Sequence, residues 1–343
     1  GALAPGATVP VEAGVNFTSS KPAMTLKADL TTKVGSDADL TVFRITGLVL
    51  NLDAEGEGLP AGGAKLTLKA DAMADTKADT LTVDQFDISG PAMAASGELA
   101  VSAMQTDPAA RGSLRIAETD LKTLASMFAS PIETVDPAAL TRASGELAFN
   151  YAAGVLKLEP MKVRLDDSNL EGYVHLLDTS GPVVRTKLDL DQIDLDRYLP
   201  PAGGEEQSAA KADSDDATSA SAGDPFAALR PLDLVAEFSI GSLKVNNARM
   251  SNVTTKVVSR NGVLTMDPIG ANLYEGRFDG RVVLNAAGKT PKVAAKNSLT
   301  GIQIGSLLKD VAEQDRLEGK GELHLDVSLV GLSEAQIRRS LNG

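Results

Sequence analysis

The sequence has no cysteine and no tryptophan. Without cysteine there is no disulfide, no thiolate nucleophile and no Cys-based metal site, and an oxidising compartment is tolerated. Aromatic residues make up only 3% of the chain, too few to stack bases or sugars. Basic residues are outnumbered 33 to 46 by acidic ones, for a formal net charge of -13, and they form no cluster. That balance argues against a nucleic-acid partner and disfavours adsorption onto anionic lipid. No apolar run reaches the ~18 residues that a membrane-crossing helix needs. The chain is read as a piece of something longer: Gly1 opens mid-pattern with no leader motif, and the ending SLNG at 340–343 looks cut.

What the chain does have is aliphatic residues in short alternating runs, and those runs repeat. Residues 261–289 (NGVLTMDPIGANLYEGRFDGRVVLNAAGK) read as strand, corner, strand, tight turn, strand. Leu264 and Met266 share one side. Asp267-Pro268 is expected to make the corner, because proline has no N–H to give a ladder. After the turn at 274–276, Phe278, Gly280, Val282 and Leu284 alternate with polar residues, the pattern of a sheet with one apolar and one solvated face. The same pattern occurs upstream: Leu156 aligns with Leu264, Leu158 with Met266, Pro160 with Pro268, Gly172 with Gly280, Val174 with Val282 and Leu176 with Leu284, while a third copy opens at Thr80 and aligns Gly97 with Gly172. Each copy is followed by a further strand and a helical segment, near 120–128, 194–199 and 304–311. Repetition at this period points to a stacked, modular architecture.

The predicted fold is mainly β: an elongated, repeated antiparallel β-groove, or curled sheet, with short helices between repeat units. Roughly twenty strands of about five to nine residues are expected, and at ~4.8 Å between neighbours a sheet of that size runs about 95 Å. Its apolar face must curl, pair with another sheet or hold something apolar. Leu40, Val42 and Ile45, then Leu48, Leu50 and Leu52, are read as two strands broken near Gly47, and residues before Lys21-Pro22 are too sparsely patterned to assign. Residues 203–224 (GGEEQSAAKADSDDATSASAGD) lack any large apolar side chain and read as a disordered acidic Ser/Ala-rich insertion. They separate an N-terminal set of groove repeats at 1–202 from a C-terminal set at 225–343. Residues 333–341 look helical. The inward face is assigned Leu156, Leu158, Val174, Leu176, Leu264, Met266, Phe278, Val282 and Leu284.

Chemistry-bearing constellations are thin. Asp189, Asp191, Asp194 and Asp196 lack the glycine turn and terminal glutamate of a calcium loop and read as a solvated strand face. His175 and His324 each lie between two aliphatic residues and point to the polar face, so no metal site and no cofactor is assigned. Gly288-Lys289-Thr290 lacks the earlier glycine of a phosphate loop, its place being taken by Val283. No nucleophile elbow appears, and no carboxylate pair faces inward, so an enzyme is not expected. Gly97, Gly172 and Gly280 are read as positions where the sheet bends.

The second half resembles the AsmA family of bacterial envelope proteins. The residues carrying the resemblance are 195–201 (LDRYLPP), 229–234 (LRPLDL), 240–247 (IGSLKVNN), 262–264 (GVL), Asp267-Pro268, 273–276 (LYEG), 304–310 (IGSLLKD), 316–321 (RLEGKG) and 340–343 (SLNG). The resemblance implies a periplasmic body of repeated β units attached to the inner membrane by a helix outside this segment. It also implies likeness to chorein-type bridge-like lipid transfer proteins, whose U-shaped sheet has an aliphatic interior. The partners so implied are phospholipid acyl chains, the inner membrane and other envelope proteins, in support of phospholipid transport to the outer membrane. The resemblance implies no catalytic residue. The alternative is a structural or scaffolding β array whose apolar faces pack on each other.

Overall fold

The computed structural model describes residues 4–56, 59, 63–127, 130–178, 182–201, 226–288, 290–312, 314 and 318–331. The segment read as an acidic insertion and the helix read at 333–341 lie outside the described residues. Strand makes up 69% of the structure and helix 8%. The chain forms two compact units, residues 1–133 with 138–175, and residues 134–137 with 176–343.

The first unit holds β1 (Thr8–Ser20), β2 (Ala23–Ser36), β3 (Val42–Gly56), β4 (Ala64–Asp75), β5 (Thr80–Ser89), β6 (Ala94–Ser102), β7 (Ala109–Thr119), β8 (Ala143–Ala152), β9 (Val155–Leu165) and most of β10 (Ser168–Asp178). From β1 to β9 each strand pairs antiparallel with the next. A short helix, α1 (Leu121–Met127), follows β7, and its first turn is capped by Asp120, which accepts the Thr123 N–H at 2.9 Å. That bond holds the Asp120 carboxyl below its ordinary value.

The second unit holds β11 (Val183–Asp194), β12 (Asp233–Val245), β13 (Ala248–Arg260), β14 (Val263–Leu273), β15 (Gly276–Asn285), β16 (Lys292–Gln303), α2 (Ile304–Ala312) and β17 (Lys320–Val330). From β12 to β17 the pairing is again antiparallel between neighbours. β11 and β12 run parallel. A parallel pair needs a connection that returns along the full strand, which gives the long segment between them a geometric purpose that composition alone does not reveal. Its two described ends are tied at opposite ends of the strands. Asp196 accepts the N–H groups of Asn246 and Asn247 at 2.6 and 2.8 Å, beyond the end of β12, while Arg230 donates to the Ala286 carbonyl at 3.1 Å, beyond the end of β15.

The described strands are longer than the sequence predicts, and the proline corners are one reason. Asp267-Pro268 does not end a strand. It lies inside β14, where two residues oppose the single Arg281 of β15 between the pairs Met266–Val282 and Ile269–Gly280. Glu159-Pro160 sits in the same place in β9, between Leu158–Phe149 and Met161–Leu147. In the third copy Asp84-Gln85 makes the same bulge without proline, between Val83–Leu99 and Phe86–Gly97. A bulged residue has no ladder partner, so proline there forfeits no hydrogen bond; both X–Pro bonds are cis. The break read near Gly47 is likewise a bulge inside one strand, β3: Thr46-Gly47 opposes Asp71, with Gly47 at φ 59 and its N–H on the Asp71 carboxylate at 2.6 Å. The sparse start also forms a strand, β1.

Neither unit has a conventional core. Among the described residues the buried apolar side chains are Ala95, Ala139, Ala236, Val257, Ala271, Ala286 and Ile302. Five of these seven are alanine, and no leucine, phenylalanine or methionine is among them. Larger apolar side chains stay half-exposed, or more in Phe17 at 48% and Leu323 at 54%. Among the described residues each unit is therefore chiefly a single layer of sheet, with only the short helix α2 set against the strands of the second.

Candidate functional site

Residues directly opposite in a ladder share a face, and register therefore sorts every strand into two sides. In the second unit one cross-strand row runs Val184, Leu234, Ser259, Leu264, Leu284, Val293, Leu329. The next runs Thr186, Ala236, Val257, Met266, Val282, Ala295, Val327, and a third runs Leu188, Phe238, Thr255, Ile269, Gly280, Asn297, Leu325. Ala271, Phe278, Leu299 and Leu323 extend the same side. The opposite side is charged. It carries the ion pairs Lys296–Asp326 at 2.9 Å and Arg281–Asp267 at 3.3 Å, and the contact between Ser298 Oγ and His324 Nδ1 at 3.0 Å.

The first unit is sorted the same way. Leu81, Val101, Ala110, Tyr151 and Leu156 form one row; Val83, Leu99, Gly112, Phe149 and Leu158 form the next. On β10, Glu171 faces Lys162 at 3.6 Å and His175 faces Glu159 at 2.8 Å, with the Tyr173 and His175 rings 4.5 Å apart. Residues 171, 173 and 175 thus belong to the charged side, and alternation puts Val174 and Leu176 on the apolar side. The residues assigned inward from sequence lie on the apolar side: Leu156, Leu158 and Val174 in the first unit, Leu264, Met266, Phe278, Val282 and Leu284 in the second, while Leu176 shares the face of Val174 on β10 just past the first unit's boundary. All nine are half-buried.

Glycines set the curvature. A Cβ on Gly97 would project to the apolar side and meet the Ser113 carbonyl oxygen of β7 at 2.1 Å, and one on Gly112 would meet the Glu98 oxygen of β6 at 2.1 Å. The two strands therefore fold toward each other on that side, which curls the sheet toward its aliphatic face. At Gly276 in the second unit a Cβ would meet the Thr300 oxygen of β16 at 2.5 Å. The rings of Phe86, Phe149 and Phe278 lie against Gly97, Gly112 and Gly280 respectively. Scarce aromatics are thus spent covering bare backbone at the crease, as aromatic side chains do over strand glycines.

Sequence reasoning missed two groups. Phe238, Ile240, Ile269, Val293 and Leu299 complete the aliphatic side, and plain alternation would have found them. Thr255, Asn297 and Ser259 are polar residues on that same side, which alternation would not have found. The aspartates read as a solvated face are also more engaged than expected. Asp194 and Asp196 hold Lys244 at 3.1 and 3.4 Å, and Asp194 caps the 3₁₀ turn Leu195–Tyr198 by accepting the Asp196 N–H. Burial alone would raise Asp196, but the amides of Asn247 and Asn246 and the Lys244 ammonium outweigh it and hold its carboxyl below the ordinary 3.8. Lys244 is raised in turn, mainly by its hydrogen bond to Asp194. These contacts join the end of β11 to the β12–β13 turn; they are structural. At the same end of the unit, Tyr274 Oη donates to Asp310 of α2 at 2.9 Å, and burial followed by the Asp310 carboxylate raises the Tyr274 phenol.

Open depressions of 230 to 710 Å³ lie along the first unit, lined chiefly by charged-side residues such as Asp84, Glu98 and Arg111. They are gaps between long side chains over short ones such as Ser113 and Ala148, and none of the nine inward residues lines them. Among the described residues no group of histidines and carboxylates is arranged to hold a metal ion, and no helix is long and apolar enough to cross a membrane.

No curated protein and no solved structure matches the chain. The AsmA family matches residues 134–343, which takes in β8 to β17 and begins well before the 195–201 motif that carries the resemblance in sequence. That span covers more than half of the sequence, and the chain belongs to the AsmA family, whose members are associated with the envelope.

Proposed function

We propose that the aliphatic side of each unit holds lipid acyl chains, and that the chain serves phospholipid transport toward the outer membrane as the periplasmic part of an inner-membrane-anchored protein. The role is non-enzymatic: the groove offers contact rather than chemistry. The observation that carries this reading is the half-buried aliphatic side of a sheet that curls toward it, with no second layer covering it among the described residues. A patch of this size left to water is costly, and its natural occupant is a chain of methylenes. Moving a ~16-carbon acyl chain into water costs roughly 13 kcal/mol at ~0.8 kcal/mol per CH₂. A continuous aliphatic track removes most of that barrier while the headgroup stays wet at the rim. Methylene contacts are non-directional, so headgroup selectivity would be low. The charged outer side, with its cross-strand ion pairs, suits an aqueous compartment.

The test is native mass spectrometry and organic extraction of the chain purified from a bacterial envelope. Co-purifying phospholipid in near-stoichiometric amount is the expected outcome. A chain free of lipid, and unable to take up a fluorescent phospholipid from vesicles, would leave only a scaffolding role.

A further inference from the structure

Basic residues form no cluster in the sequence, yet strand pairing gathers Arg185, Arg230, Arg260 and Lys292 at one end of the second unit's strands. Arg260, Val263, Asn285, Lys292 and Val330 form the last cross-strand row at that end. Three strand spacings put the Arg260 and Lys292 backbones about 14 Å apart. Beside Arg260, Asp233 of β12 is shared: Arg260 Nε lies 3.5 Å from its Oδ2, and Arg185 of β11 donates to its Oδ1 at 2.8 Å. On the other flank, just beyond the end of β15, Arg230 donates to the carbonyls of Ala286 and Gly288 at 3.1 and 3.4 Å. The carboxylates among the described residues at this end are Asp233 and Asp178, the latter closing β10. Cations are therefore in excess here, in a chain whose net charge is -13. The Arg260 side chain is 60% exposed, and Lys292 is exposed as well. At the opposite strand ends the cations are matched: Lys244 holds both Asp194 and Asp196, and Arg249 faces Asp310.

The row one residue further in, from Val184 to Leu329, is the first row of the aliphatic side, so this basic rim borders it directly. We propose that the rim holds the phosphate of a phospholipid headgroup, and that the second unit prefers anionic phospholipids to zwitterionic ones. The inference rests on the acyl-chain reading above and narrows it. Methylene contacts do not choose among headgroups, but charge at their margin does. Guanidinium groups match phosphate oxygens with paired N–H donors. An excess of cations beside a low-dielectric wall also favours net negative charge and disfavours an ammonium group. A lipid held this way keeps its headgroup at one rim and its chains on the aliphatic rows.

The experiment measures displacement of a fluorescent fatty acid from the lipid-stripped full chain by dioctanoyl phosphatidylglycerol and dioctanoyl phosphatidylethanolamine. Both are kept below their micellar concentrations, so that no charged lipid surface is present. Phosphatidylglycerol is expected to bind about fivefold tighter at low salt, the scale of two or three exposed charge contacts. The preference should fade at about 1 M salt, where charges are screened beyond roughly 3 Å. Arg260→Gln and Lys292→Gln should each roughly halve the ratio by weakening phosphatidylglycerol, and Arg249→Gln at the opposite strand ends should leave it unchanged. Lys292→Gln carries the test should Arg260→Gln, which also releases Asp233, fail to fold. Inorganic phosphate should not displace the probe; displacement by it would make the rim a free-phosphate site and overturn the inference. Equal binding of the two phospholipids, or a ratio indifferent to both rim substitutions, also overturns it and leaves the acyl-chain reading standing. Binding of neither phospholipid overturns both.

Discussion

Replacing Val282 and Leu284 together by glutamate puts two carboxylates on the aliphatic side of β15, opposite Met266 and Leu264 on one flank and Ala295 and Val293 on the other. Both native side chains are half-exposed. Removing them forfeits roughly half of the ~1.5–3 kcal/mol that full burial of each is worth, or about 1.5–3 kcal/mol for the pair. The new charges add little, because an open face lets water reach them. In a dry core each unpaired charge would instead cost about 3–5 kcal/mol, and two would consume most of a typical folding free energy. The double variant should therefore keep its β circular dichroism spectrum and melt several degrees lower. It should lose lipid, because an ionised carboxylate brings hydration with it and interrupts the hydrocarbon track. Arg281→Glu is the matched control. It breaks an exposed pair with Asp267 worth at most ~1 kcal/mol and should leave lipid uptake intact. A double variant that is folded and still takes up phospholipid at the wild-type level refutes the reasoning. One that is wholly unfolded points to a packed interior.

Two further outcomes follow from the second unit. Deleting residues 203–223, harmless if they were a mere insertion, leaves three residues between Pro201 and Phe226; these reach about 15 Å, against about 36 Å for the length of β11. The deletion should cost roughly 10 °C or more in melting temperature, whereas a Gly/Ser replacement of equal length should restore it; an unchanged melting temperature on deletion would contradict the parallel pairing. Asp196→Asn should cost about 1 kcal/mol at neutral pH. Because the folded carboxyl lies below its ordinary 3.8, its contribution is present above that value and lost as pH falls through the folded one. Wild type and variant should thus converge in urea titrations as pH falls from 3.8 through the lower folded value, and a difference that persists once the carboxyl is protonated would mean that Asp196 acts by shape rather than charge.

Much of this fold was legible because the repeat is regular. β14 and β15 lie where alignment with β9 and β10 puts them, and within each run the residues assigned inward share a face because alternation survives there. What was illegible has a common cause. A bulge inserts one residue and shifts the phase of alternation, which in sequence looks like one strand ending and another beginning. Asp267-Pro268 and Thr46-Gly47 both produced that illusion, strengthened by residues that elsewhere do stop strands. β1 was obscured because Ala13 and Gly14 dilute its alternation. The parallel pairing left no trace, since the residues that permit it need only be long enough. Thr255, Ser259 and Asn297 were invisible for the opposite reason: on an alternating strand a polar residue is assigned outward by default, and only the register shows otherwise.

The parallel pair of β11 and β12 also bears on the order in which the second unit is built. From β12 to β17 each strand meets its neighbour through a short turn or the α2 segment, so every ladder closes a small loop as soon as both its strands exist. β11 instead aligns with β12 at a fixed separation of 50 residues, Val183 with Asp233. Closing a loop of about 38 residues rather than about four costs roughly 2 kcal/mol more in chain entropy, before any contact repays it. The β11–β12 ladder is thus expected to close after the antiparallel ones, because β12 does not exist until the chain has returned. Until that ladder closes, β12 presents an open edge flanked by aliphatic side chains, the kind of surface on which a folding intermediate finds the wrong partner. The short ties from Asp194 and Asp196 to Lys244 and to the turn beyond it then serve as the clasp that ends this exposed interval.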